Sequence, residues 1–119
     1  MKVLVFAGSL RRDSVNKKLA REAARVLVEH SLARAEFVDL RDYPMPLYDG
    51  DREQNEGLPD EVVKLGARIA EADALIVATP EYNGSISSVL KSALDWISRI
   101  KPVPIAGKHL VLLSASPGG

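Results

Sequence analysis

Residues 3–16 read VLVFAGSLRRDSVN: an apolar run breaks at Gly8 and gives way to hydroxyls, arginines and an amide. Val3, Leu4, Val5 and Phe6 follow one another without polar alternation, the pattern of a parallel strand covered on both faces. Gly8 is expected to let the backbone turn. Beyond it, Leu19, Ala23, Val26 and Leu27 recur at the spacing of one helix face. Ser14 and Asn16 are both favoured N-cap residues, so a helix is expected to begin near 14–16. Ser9, Arg11, Ser14 and Asn16 therefore gather where a strand runs into a helix start. Such a start carries unpaired N–H groups and partial positive charge, and hydroxyl, amide and guanidinium donors complete the hydrogen bonds of a phosphate. Each residue alone also has a plainer reading, in which Ser14 or Asn16 only caps the helix and Arg12 is solvated. Four anion donors within eight positions weigh against it.

Working outward, 35–40 (AEFVDL) alternates and reads as a second strand ending near Asp39. Segment 41–57 is rich in Pro, Asp, Gly and Asn, with Tyr43, Met45, Leu47 and Tyr48 interspersed, and is expected to be a long, partly packed loop and a candidate lid. A helix follows from near Pro59 to about Glu71 with Val62, Leu65 and Ile69 inward. Residues 74–79 (ALIVAT) read as a third buried strand. Ser85 to Ser88 lead into a helix with Leu90, Ala93, Leu94 and Ile97 inward, closed by Arg99 and Lys101 before Pro102. A fourth buried strand is expected at 109–114 (HLVLLS). Apolar strands alternating with amphipathic helices indicate a single α/β domain over 1–119, three-layered, with a parallel sheet. In such sheets a ligand lies beyond the carboxyl ends of the strands, at the switch in strand order. The loops after strands one, three and four (TPEYNGS and SASPGG for the last two) qualify.

Composition narrows the function. Sixteen basic and sixteen acidic residues cancel, so no overall field favours nucleic acid or an anionic membrane, and any anion site is local. The absence of cysteine excludes disulfides, thiolate metal sites and a cysteine nucleophile, and fits a reducing compartment. The apolar runs are too short to span a membrane, and the opening residues lack a signal peptide's length, so the cytoplasm is expected. Gly8-Ser9-Leu10-Arg11 satisfies neither a dinucleotide-binding nor a P-loop glycine pattern, which leaves Asp39 a weak imitation of a ribose-binding acid. His30 and His109 have no metal-ligand spacing and neither falls at a carboxyl-end loop, so no metal site and no Ser-His-Asp arrangement is expected. Trp96 and Phe6 read as core. In 80–85 (PEYNGS), Pro80 stiffens the strand exit and Asn83-Gly84 favours a tight turn, which can present backbone N–H groups to a flat ring; the alternative is a plain connector with Tyr82 packed on it.

Residues 8–20 (GSLRRDSVNKKLA), 80–96 (PEYNGSISSVLKSALDW) and 114–119 (SASPGG) together resemble the NAD(P)H-dependent FMN reductase family, which includes quinone, chromate and azo-dye reductases. The resemblance implies a flavodoxin-like sheet of order 2-1-3-4-5 with FMN at the switch point. It implies that Ser9, Arg11, Ser14, Val15 and Asn16 hold the FMN phosphate, that Pro80, Glu81, Tyr82, Asn83 and Gly84 line the ribityl chain and ring, and that Ser116 and Gly118 complete the ring pocket. The cosubstrate would be NADPH or NADH and the partner a small electron acceptor, with no catalytic acid or nucleophile required because the flavin carries the chemistry. A homodimer or homotetramer is expected. Two departures stand out. Ser87 occupies a position where members often carry proline, and the sequence stops at Gly119, where members continue with a helix, a final strand and another helix, so that strand four is expected to be an apolar edge with part of its face uncovered. The alternatives are a flavin-binding electron carrier, which shares the fold, and an inactive fragment or assembly module.

Overall fold

The computed structural model describes residues 1–10, 14–79 and 87–114. In order these form β1 (Lys2–Ala7), α1 (Val15–Glu29), β2 (Arg34–Val38), a 3-10 turn (Leu40–Asp42), α2 (Gly50–Glu56), α3 (Asp60–Glu71), β3 (Ala74–Ala78), α4 (Ser88–Ile97) and β4 (His109–Leu113). The four strands pair in parallel in the order β2-β1-β3-β4. The chain therefore steps from β1 to one side, then crosses to the other, and the switch in strand order lies between β1 and β3.

Strand geometry explains the uninterrupted apolar run of β1, because alternate side chains enter opposite layers. Val3, Val5 and Ala7 meet Ala20 and Ala24 of α1, whereas Leu4 and Phe6 join Val62, Leu65, Ile69, Leu90, Trp96 and Ile97 beneath α3 and α4. The inner stripe of α1 differs from the expected one. Val26 is exposed, Leu19, Ala23 and Leu27 are half-buried, and the buried positions are Asn16, Lys17, Ala20 and Ala24. Small alanines let the helix sit close to the sheet, and a periodicity that weights large residues places the stripe one step away. In α3 the expected face is inward, with Gly66 added, where a Cβ would lie 2.4 Å from Ile100 Cδ1.

The expected loop 41–57 holds the 3-10 turn and α2, and it is fastened down. Trp96 Nε1 donates to the Pro46 carbonyl (2.7 Å), Tyr48 N donates to Ser92 Oγ (2.8 Å), and the Tyr48 and Trp96 rings meet edge to face at 4.9 Å. Asp49 caps α2, and Gly57 ends it at φ +76°, ψ −163°, a backbone region open almost only to glycine. Arg99, expected to act on its own helix terminus, instead reaches Glu53 of α2 through Nε at 2.9 and 3.0 Å and holds that carboxyl below its usual range. A segment so tied to α4 is a wall of the domain rather than a lid.

The fourth strand forms as expected, not buried as its apolar run alone predicts but as the uncovered edge also expected of it. Leu110, Val111 and Leu112 of β4 are 54%, 48% and 56% exposed. β4 pairs with β3 on one side only, and among the described residues no helix covers its outer part.

Candidate anion and cofactor site

Three strand ends are held level at the carboxyl rim. Gly8 N donates to the Ala78 carbonyl (2.8 Å), and Thr79 N donates to the Leu113 carbonyl (2.9 Å), so the chain leaves β1, β3 and β4 side by side. α4 closes against this point. Ser87 caps it by accepting from Leu90 N (3.2 Å), and the same hydroxyl donates to the Gly8 carbonyl (2.7 Å). Gly8 is a glycine for this reason. A Cβ there would stand 2.9 Å from Leu90 Cβ and 3.2 Å from Ser87 Oγ, so close approach rather than the expected turn sets the requirement.

Ser9, Ser14 and Asn16 are buried polar residues grouped around the end of β1 and the first turn of α1, and Val15 is the exposed first residue of that helix. Ser14 is the N-cap, its oxygen accepting from Lys17 N at 3.4 Å. A hydroxyl that accepts in this way still has a proton to give. Thr79, at the exit of β3, is likewise buried. Arg11, Pro80, Glu81, Tyr82, Asn83, Gly84, Ser116 and Gly118 lie outside the described residues.

Sequence reasoning missed the cation beneath this stretch. Lys17 is 1% exposed, with Nζ 2.9 Å from Asp39 Oδ1 and 3.4 Å from the Leu10 carbonyl. Asp39 is thus committed to an ion pair and to capping the 3-10 turn through Arg41 N (3.0 Å). Burial alone would raise its carboxyl, but the Arg41 N–H, Lys17 and the nearby Arg21 charge outweigh burial and hold it below the usual carboxylate range. A buried ammonium is tolerable only with such partners. Nothing in periodicity separates Lys17 from Lys18. The available signal is topological: in a strand-helix-strand unit the start of α1 and the end of β2 share one rim, which brings Lys17 towards Asp39.

Beside Leu10, a cleft of about 360 Å³ opens between the 40–47 segment and α4, with Met45, Leu47 and Val89 in its walls and Arg41 at its edge. A wider hollow of about 540 Å³ near Lys2 and Arg34 lies at the amino ends of the strands, away from where parallel sheets bind ligands.

Fold and strand order together define a flavodoxin-like α/β domain. The family model of NADPH-dependent FMN reductases matches residues 1–119, and the chain belongs to that family. It is 37% identical over 118 residues to the quinone reductase of Escherichia coli K12, covering 99% of this chain and 61% of that one. To the NAD(P)H-dependent FMN reductase of Pseudomonas aeruginosa it is 42% identical over 118 residues, with 99% and 61% covered. The solved flavoenzyme NAD(P)H:(acceptor) oxidoreductase of Paracoccus denitrificans superposes with a TM-score of 0.76 at 36% identity, over 98% of this chain and 62% of that one. The chain spans roughly three-fifths of the length of these relatives.

Proposed function

We propose that this chain forms the FMN-holding part of an NAD(P)H-dependent oxidoreductase that delivers electrons to a small acceptor such as a quinone, free flavin, chromate or an azo compound. The observation that carries the reading is the grouping of Ser9, Ser14 and Asn16, all buried, at the start of α1 beside the β1/β3 switch point. That donor set fits a phosphate monoester: hydroxyls and an amide give hydrogen bonds, and the helix start adds partial positive charge. Arg11, by resemblance, adds a charge-assisted contact. The loop after β3, with Pro80, Glu81, Tyr82, Asn83 and Gly84, is proposed to lie along the ribityl chain and ring, and Ser116 and Gly118 to complete the ring pocket.

FMN, when bound, supplies hydride chemistry with NADPH or NADH and passes the electrons to the acceptor. The protein's share is to bind and orient. Ser87 and Gly8 fix the separation between the anion stretch and the start of α4, and the bonds of Gly8 to Ala78 and of Thr79 to Leu113 set the level from which the ring-side loops depart. No side chain need act as acid, base or nucleophile. The absence of cysteine supports a cytoplasmic setting, and among the described residues no helix is long and apolar enough to cross a membrane. A homodimer or homotetramer is proposed by resemblance to the family.

Steady-state oxidation of NADPH and NADH by the FMN-loaded intact protein, with a quinone added, tests the activity. Turnover that depends on both flavin and quinone is expected. Flavin binding without nicotinamide oxidation would make the protein an electron carrier instead.

A further inference from the structure

The Leu10 carbonyl is the first acceptor beyond the rim residues Gly8 and Ser9, and two cations converge on it. Lys17 Nζ donates at 3.4 Å and Arg41 Nη1 at 3.2 Å. Both are tied to one carboxylate: Lys17 Nζ lies 2.9 Å from Asp39 Oδ1, and the Arg41 backbone N–H donates to that same oxygen at 3.0 Å. The Leu10 peptide is therefore gripped from the end of β2 and from the first turn of α1. The arrangement is poorly explained by the needs of the helix. A cation in the first turn opposes the helix dipole, and an ammonium that is 1% exposed carries a desolvation cost. An alanine there would serve helix and layer better. What the lysine does accomplish is to tie the backbone at Leu10, between Ser9 and Ser14 in sequence, to the end of the neighbouring strand.

We propose that Lys17 and Asp39 are positioning residues for the ligand's phosphate: through the Leu10 carbonyl they set the path of the chain out of β1, so that Ser9, Ser14 and Asn16 meet a phosphate monoester dianion together. This rests on the reading of that stretch as the phosphate site. Neither residue touches the ligand. Their effect falls on the phosphorylated end and spares the ring end, which separates it from a general loss of structure.

The test compares wild type, Lys17→Met and Asp39→Asn in the intact protein, with FMN and riboflavin affinities from quenching of flavin fluorescence and circular dichroism as a check on folding. The expected result is a tenfold or greater loss of FMN affinity in Lys17→Met, with riboflavin changed less than twofold. Asp39→Asn keeps the shape and the Arg41 contact, so it remains informative if Lys17→Met fails to fold. It also separates positioning from charge. Loosening the lysine should weaken FMN even though local positive charge rises, whereas a cation acting only through its field would bind FMN more tightly in Asp39→Asn. Tighter FMN binding in that variant, or equal losses for FMN and riboflavin, overturns the proposal. A wild type that fails to prefer FMN over riboflavin would overturn the phosphate reading, and this proposal with it.

Discussion

Ser87→Ala is a demanding single perturbation, because one hydroxyl serves two elements. In the structure Ser87 Oγ accepts from Leu90 N at 3.2 Å, capping α4, and donates to the Gly8 carbonyl at 2.7 Å, fastening α4 to the end of β1. Loss of a serine N-cap costs about 1 kcal/mol, and withdrawing the donor from a buried carbonyl costs about 1–3 kcal/mol. Since both bonds run through one atom and the site relaxes as a unit, a combined loss of about 2–3 kcal/mol is expected. For a domain of this size that lowers the melting temperature by roughly 8–12 °C. Urea unfolding followed by circular dichroism gives the free energy, and a thermal scan gives the shift. Ser88→Ala supplies the control, since Ser88 is exposed one position later and its truncation should stay within about 0.5 kcal/mol. Gly8→Ala approaches the same junction from the other side: its Cβ would lie 2.9 Å from Leu90 Cβ, an overpacking worth about 1–3 kcal/mol. If Ser87→Ala were no worse than Ser88→Ala, the clamp between β1 and α4 would not be what holds the rim together.

Three further expectations follow from separate features. Arg11→Ala should weaken FMN roughly ten- to a hundredfold while leaving riboflavin nearly unchanged, as loss of a charge-assisted phosphate contact requires; equal losses in a fluorescence titration would remove Arg11 from that site. Asp39 has a depressed folded-state carboxyl, so the unfolded chain binds the proton more readily; its contribution is complete above the ordinary carboxylate range and fades as pH falls through the lower folded value. Urea midpoints measured from about pH 5 to 3 should therefore fall less steeply in Asp39→Asn than in wild type, and parallel profiles would contradict this. As a free 119-residue chain the protein should associate through β4, where Leu110 and Leu112 are 54% and 56% exposed on one face, and the double change Leu110→Lys, Leu112→Lys should reduce that association in light scattering. A cooperative wild-type monomer of that length, binding FMN tightly, would show that the exposed strand does not govern assembly.

The sheet was legible because its signal is redundant. Each strand of a buried parallel sheet is a short apolar run, and each crossover helix has a periodic face. Harder to read was whatever depends on two distant segments meeting. Lys17 looks solvated until β2 brings Asp39 beside it, and Gly8 looks like a turn until α4 packs against it. The 41–57 stretch has a loop's composition, yet a carbonyl at Pro46 and an amide at Tyr48 find Trp96 and Ser92, partners that no local pattern announces. β4 shows the converse case: an apolar run predicts a burial that only neighbouring elements can supply, and Leu110, Val111 and Leu112 are exposed among the described residues.

Titration of the intact wild-type protein with FMN and with riboflavin, followed by fluorescence quenching, tests the central claim most directly, because the two ligands differ only in the phosphate assigned to the end of β1 and the start of α1. A phosphate held by charge-assisted hydrogen bonds should make FMN bind at least about ten- to a hundredfold more tightly. Equal affinities, or no flavin binding at all, would contradict it.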